Sequence, residues 1–419
     1  MKKSLLPIVA LATVVLASCG GTSDWSWAEA SADETLNYAL LIGQIDHNDS
    51  AARTAGIRTA LGTRAAADLG KSTSSANSEV AVEGTLELAD GVTYKTVEIE
   101  SGEQKNTAGA TWDQQTATST AENWTAKHGN DIDFFVSNND GMAEGAIGAS
   151  NWIKGMPIFG YDSNESTLQY IKSGQIMGTI NQNASAQAGG LYMLARNCID
   201  GVANPTVNGF SEASANGYGK IGSEYNYNAT NESMLVNNFT ITAENVDQYA
   251  GKTSADLIDT SVTKGTTETV KVWQSYYNAA DTFLNSSMKP LFQLYADTFN
   301  FDVTATFGNG ADESLATSNL EAAQKGDYDA FMINMVKTTA AASYLDILAT
   351  KLDATAETPT NTPVIFWNRQ ATTEAGEVDA DVMKDARFNN IYYVGFDAVQ
   401  GGQLQGQMIV DYLNAQAKA

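Results

Sequence analysis

Asn139 and Asp162 are the side chains from which a binding function can be argued most directly. Asn139 stands in DIDFFVSNNDGMAEGAI, residues 131–147, and Asp162 in MPIFGYDS, residues 156–163. Neither is a strong nucleophile. An amide and a carboxylate together donate and accept, which suits hydroxyl groups. To act together they must share a surface. Ile132–Val136 reads as a buried strand, Ser137-Asn138-Asn139-Asp140 as a polar turn, and Gly141 opens a helix. Pro157–Gly160 reads as the next strand. This is a βαβ unit. It places both residues at the carboxyl ends of neighbouring parallel strands, where open α/β sheets bind ligands. Helix capping accounts for one of Asn139 and Asp140, but not for Asp162.

The chain has 419 residues, 43% of them hydrophobic, enough for two lobes. Apolar segments alternate with helical ones, so an α/β class is expected. A net charge of −25 argues against nucleic acid and against an electrostatic hold on anionic lipid. Lys2 and Lys3 precede an apolar run, Leu5–Leu16, that is too short to span a bilayer. The run ends in Leu16-Ala17-Ser18-Cys19, which resembles the bacterial lipobox. Residues 1–18 are therefore expected to be a signal peptide. Cys19 would carry the lipid, giving an extracytoplasmic, membrane-anchored protein. Residues 19–36, polar and small, read as a tether. Trp25 and Trp27 could touch headgroups there. Cys198 reads as a buried free thiol, and His128 as solvent-exposed.

NNDGMAEGAI and IFGYD are similar to the Asn-Asn-Asp-x-Met-Ala-x-Gly-Ala and Phe-Gly-Val-Asp segments of the periplasmic galactose/glucose-binding proteins. Other segments carry the same resemblance. YALLIG runs into Gly43, His47, Asp49 and Arg53 at the family's spacing. TAGATWDQQ places Trp112 on the family's stacking tryptophan. After the strand Gly178–Ile180, Gln182 stands where the family has Asn, flanked by Asn181 and Asn183. Asp281-Thr282-Phe283 replaces Asp-Asn-Phe, and Trp367-Asn368-Arg369 replaces Phe-Asn-Lys. Between these segments, VAVEGTLEL and VTYKTVEIE around Ala89-Asp90-Gly91 read as an inserted hairpin whose last strand rejoins the fold, preceded by a flexible KSTSSANSE.

The order of the matches is unusual. NNFTITAENVDQY, residues 237–249, resembles the family's carboxy-terminal strand and helix, yet VKVWQS after it resembles the family's amino terminus. The resemblance implies a circularly permuted two-lobe periplasmic binding protein of type I, each lobe a parallel sheet sandwiched by helices. Residues 37–182, with 237–250 and 398–419, would form the lobe next to the tether. Residues 183–236 and 270–397 would form the other. Residues 201–236 read mostly as loop, and 251–269 as the linker joining the family's original termini. Its Gly251–Glu268 part, 18 residues, reaches roughly 20–25 Å if flexible.

The implied site holds one monosaccharide. His47, Asp49, Arg53, Asn139, Asp162, Gln182, Asp281 and Asn368 would bond its hydroxyls, and Trp112 and Phe283 would sandwich its ring. The implied partners are an ABC permease and its ATPase; a monomer is expected. No cofactor and no catalysis are expected. An Asp162/Asp281 glycosidase pair would need a catalytic setting that these residues lack. The family's calcium loop is cut by the permutation, only Asp133 stands where its Glu would be, and EVDADVMKD lacks the turn glycine. Three alternatives stay open: calcium at such a site, a lipoprotein kept for adhesion, sensing or antigenic display, and a nucleoside ligand.

Overall fold

The computed structural model describes residues 24–45, 47–63, 82–202, 205–206, 225–252, 256, 268–323 and 325–419. Cys19, KSTSSANSE and most of the 251–269 segment lie outside the described residues.

Two seven-stranded sheets carry the fold. Sheet one runs β2 (Val82–Glu87), β3 (Thr93–Glu103), β1 (Thr35–Ile42), β4 (Phe134–Ser137), β5 (Ile158–Phe159), β6 (Gly178–Asn181), β9 (Phe239–Thr242). Its inner strands are parallel; β2 and β9 are antiparallel edges. Both faces of β1 are covered: Tyr38, Leu40 and Ile42 join one core, Ala39 and Leu41 the other. That explains the continuous apolar run, since parallel strands are buried on both sides. Helices α1 (Trp27–Ala30), α2 (Asn48–Ala60), α3 (Gln114–His128), α4 (Asp140–Ile147) and α5 (Glu165–Lys172) lie along this part of the chain.

Sheet two runs β11 (Phe301–Phe307), β10 (Val270–Tyr276), β12 (Ala330–Ile333), β13 (Val364–Trp367), β14 (Ile391–Phe396), β8 (Ser233–Val236), β7 (Tyr225–Asn228), parallel except for β7. Helices α6 (Ala184–Ile199) and α7 (Lys289–Phe299) bury one of its faces, where Leu191, Tyr192 and Phe292 meet Val272 and Trp367. Helices α8 (Glu313–Ala323) and α9 (Ala341–Lys351) bury the other through Leu320, Leu345 and Leu348. The last helix, α10 (Ala398–Lys418), returns to sheet one and lies on α2. The two helices touch through glycines. A Cβ on Gly56 would sit 2.1 Å from the Gly402 carbonyl, and one on Gly402 would sit 2.2 Å from the Ala52 oxygen. The chain passes between the sheets four times, from β6 into α6, from β8 into β9, from β9 to β10 and from β14 into α10.

Several expectations need correction. Residues 24–36 are not a free tether. Trp25 donates its amide to the Lys154 carbonyl (2.9 Å), Trp27 packs on Tyr94, and β1 already begins at Thr35. Both tryptophans pack against apolar cores of sheet one, which makes them anchors of this segment. Residues 225–236 form the β7–β8 hairpin at the edge of sheet two. The expected helix after β9 is a single 3-10 turn, Val246–Gln248. His128 is largely buried, its Nε2 2.8 Å from Glu100 Oε1. Asp133 accepts from the Asn37 amide at 2.6 Å.

Candidate functional site

In sheet one β1 lies between β3 and β4, and in sheet two β10 lies between β11 and β12. The chain therefore leaves neighbouring strands in opposite directions beside β1 and β10, and a crevice opens at their carboxyl ends. The two crevices face each other. An asparagine fastens each. Asn138, after β4, accepts from Ser50 Oγ (2.8 Å) and the Gly43 amide (3.2 Å). Asn334, after β12, accepts from the Tyr277 amide (2.9 Å) and donates to the Trp367 carbonyl (3.0 Å).

Sheet one supplies most of the polar groups. His47 caps α2, its Nδ1 accepting from the Asp49 amide (3.2 Å). Its proton therefore sits on Nε2, which is buried without a partner among the described residues. Burial, with Arg369 and Arg53 nearby, holds the ring neutral by pushing its pKa well down. Asp49 follows in the first turn of α2, and burial raises its carboxyl to about 6 against the pull of Arg53 and Arg369. Arg53 lies one turn on. Its guanidinium stacks 3.6 Å over the Tyr161 ring, and Nη1 donates to the Asn138 carbonyl (2.6 Å) and lies 3.7 Å from Asp162. Its Nε has no partner among the described residues.

Asp162 is held at φ 126°, a conformation an L residue adopts only under constraint. It accepts from Gln182 Nε2 at 2.7 Å. Burial raises its pKa well above the ordinary value, with Arg53 opposing. Trp112 (φ 60°) and Asn368 (φ 59°) are also left-handed. Trp112 lies on Gly43, where a Cβ would fall 2.2 Å from the indole, so the glycine before the His47 loop makes room for the ring. Asn139 caps α4 through the Met142 amide (2.8 Å) and still lines the crevice. It is thus both cap and site residue.

Sheet two closes the other side. Asp281 accepts from the Tyr277 hydroxyl (2.5 Å) and the Leu284 amide (2.8 Å). Phe283 lines the cavity from within the core of this lobe. Asn368 Nδ2 reaches across to Gln182 Oε1 (3.4 Å). Thr282 and Ser286 meet Asn164 of the opposite lobe at 3.4 and 3.3 Å. The cleft is closed.

The structure brings all ten candidates, His47, Asp49, Arg53, Trp112, Asn139, Asp162, Gln182, Asp281, Phe283 and Asn368, around one cavity. Of the three neighbouring amides, Gln182 faces the cavity. Asn181 accepts from the Asn183 amide (2.6 Å), and Asn183 caps α6. Tyr277, Leu284 and Arg369 also line the cavity, and none of them is among the ten candidates. Arg369 stacks 3.6 Å over Tyr277, a pairing that the Tyr-Tyr after β10 does not announce. Among the described residues no group of three or more His, Cys, Asp or Glu could hold a metal ion.

Residues 10–203 match a family described as periplasmic binding protein domain, and residues 269–341 match a second family of the same description. The chain belongs to the periplasmic binding proteins. This periplasmic binding protein is 36% identical over 92 residues to the D-galactose/methyl-galactoside binding periplasmic protein of Haemophilus influenzae, 22% of this chain and 28% of the relative. It is 36% identical over 80 residues to a xylitol-binding protein of Mycolicibacterium smegmatis, 19% of this chain and 23% of the relative. The matches thus span about a quarter of the length of these curated relatives. A glucose-galactose binding protein from Geobacillus stearothermophilus is similar over 91% of this chain and 92% of its own, at 8% identity and a TM-score of 0.46.

Proposed function

We propose that this protein is the solute-binding lipoprotein of an ABC sugar importer and holds a hexopyranose of the galactose/glucose kind between its lobes. The cavity carries this reading. Its walls come from both lobes, the rings of Trp112, Tyr277 and Phe283 line it, and the His47 and Arg53 donors buried against it lack partners among the described residues. A buried donor without a partner costs roughly 1–3 kcal/mol, which a sugar hydroxyl would recover. Arg53 offers a fork to two oxygens, and Asp49, Asp162 and Asp281 accept hydroxyl protons. Asp162 and Asp281 are tied to Gln182 and Tyr277, an arrangement for holding rather than for proton transfer. The two relatives named above bind galactose or methyl-galactoside and xylitol, both polyhydroxylated ligands, which supports a sugar-like ligand here.

The same reading takes Cys19 as the lipid-bearing residue; no described helix is long and apolar enough to cross a membrane. It also takes the chain order as a circular permutation. The amino-terminal strand and the last helix share sheet one, while β10, far along the chain, begins the run β10–β14 of sheet two. Thermal unfolding with a panel of pentoses and hexoses tests the ligand. A sugar that binds only the folded state adds about 4 kcal/mol at a thousandfold excess over Kd, a shift of several degrees. No shift with any of them at millimolar concentration overturns the importer reading.

A further inference from the structure

A second and larger space adjoins the buried cavity. It is a groove between the lobes, and it shares Trp112, Asn139 and Asp281 with the cavity. One wall is the loop before α3 with the start of α4; the other is the turn after β10 with Gly308 and Asn309. Ala108, Ala110, Ala279 and Ala280 line it, so small side chains keep it open. Phe283 and Gln182 line the cavity but not the groove, and both are buried. A ligand that fits the cavity therefore has room to continue toward Trp112 and Asp281, into the groove.

The lining sets the chemistry of what continues. No Lys, Arg or His stands among the described residues of the groove. Its two acids are already engaged: Asp113 caps α3 and accepts from Asn106 (3.1 Å), and Asp281 accepts from Tyr277. The remaining polar groups are neutral amides and hydroxyls, Gln114 and Gln115 among them, both exposed. A phosphate would meet carboxylates and no cation, and an alkyl chain would cover amides. A sugar ring brings hydroxyls that bond amides in both directions, and it finds a flat face on Trp112.

Resting on the sugar-binding reading above, we propose that the groove is a second sugar subsite, and that the preferred ligand is a disaccharide or short oligosaccharide with only its terminal ring buried. Calorimetry with free hexoses, their methyl glycosides and a panel of disaccharides tests this. At least one disaccharide should bind about tenfold or more tighter than its component monosaccharide. Ala280→Trp and Ala108→Trp, both at exposed positions outside the buried cavity, should lower disaccharide affinity to the monosaccharide level. They should leave monosaccharide affinity within about twofold and the unliganded Tm unchanged. Binding of monosaccharides with exclusion of every disaccharide overturns the subsite and leaves the importer reading standing. Equal losses for both ligand sizes in the two variants overturn it as a separate subsite. Binding of no sugar at all removes the importer reading and the subsite together.

Discussion

Arg53 and Arg369 stand in matching frames on opposite sides of the cleft. Each guanidinium lies 3.6 Å over a tyrosine ring, Tyr161 in one lobe and Tyr277 in the other. Each Nη1 donates at 2.6 Å to a backbone carbonyl beyond a strand end, Asn138 or Val336. The remaining surroundings differ. Arg53 keeps an Nε without a partner among the described residues and lies 3.7 Å from Asp162. Arg369 spends its Nη2 on Gln44 of the other lobe, 3.3 Å away. On the proposed reading, one arginine is held ready for the ligand, and its counterpart ties the lobes together. A shared frame thus does not imply a shared role; the neighbours of the spare nitrogens decide it.

The largest effect should follow from Arg53→Ala. It removes the cation beside Asp49 and Asp162 and leaves buried carboxylates unpaired, a cost of about 3–5 kcal/mol. Calorimetric sugar affinity should fall by roughly a hundredfold or more. Arg53→Lys should not restore it, because an ammonium lacks both the fork and the flat face over Tyr161. Full recovery with lysine would show that charge alone matters, and the comparison would lose its basis.

A smaller effect is expected for Arg369→Gln. Loss of the tie to Gln44 should cost about tenfold in affinity. Small-angle scattering should show a more extended unliganded chain. A loss as large as that of Arg53→Ala, with no change in shape, would place both arginines on the ligand.

The smallest effect is a slope. The folded-state pKa of Asp49, about 6, lies above its ordinary value of 3.8. The folded protein therefore binds the proton more tightly. The stability tied to that proton is fully present below about pH 4 and is lost as pH rises through about 6. Asp49→Asn removes this dependence, so the unliganded variant should gain Tm relative to the parent as pH goes from 4 to 7, while binding sugar more weakly. Parallel Tm profiles across that range would mean that Asp49 is not the burdened acid beside Arg53.

The parts of the fold most legible in the sequence are those with strong local signals. Strands β1, β4 and β12–β14 are apolar runs of strand length that stop at a polar residue, and the hairpin of β2 and β3 announces itself by alternation around Asp90-Gly91. Asn139 and Asp162 could be placed because each follows such a run. Residues whose role depends on distant partners were not legible. The segment Asp24–Asp33 has the composition of a linker, and only its two tryptophans hint that it docks. The strand Tyr225–Asn228, YNYN, lacks any aliphatic side chain, so its pairing with β8 leaves no mark. His128 looks solvated until Glu100, 28 residues earlier, comes beside it. Nothing local marks Tyr277, whose hydroxyl finds Asp281 only after the turn has formed.

The pairing of α2 with α10 bears on how the polypeptide reaches its final form. Ile57 and Leu61 pack in one core with Met408, Ile409 and Leu413, contributed from the far end of the sequence. During synthesis the early lobe therefore has its strands but not the helix that covers them. Such non-local contacts slow folding, because the intervening loop must close first. An apolar face exposed for that interval invites chaperones and aggregation. The first lobe can complete its core only once Ala398–Lys418 has been synthesised. A chain ending before Ala398 would keep that lobe in the chaperone-bound, protease-sensitive state however long it waited.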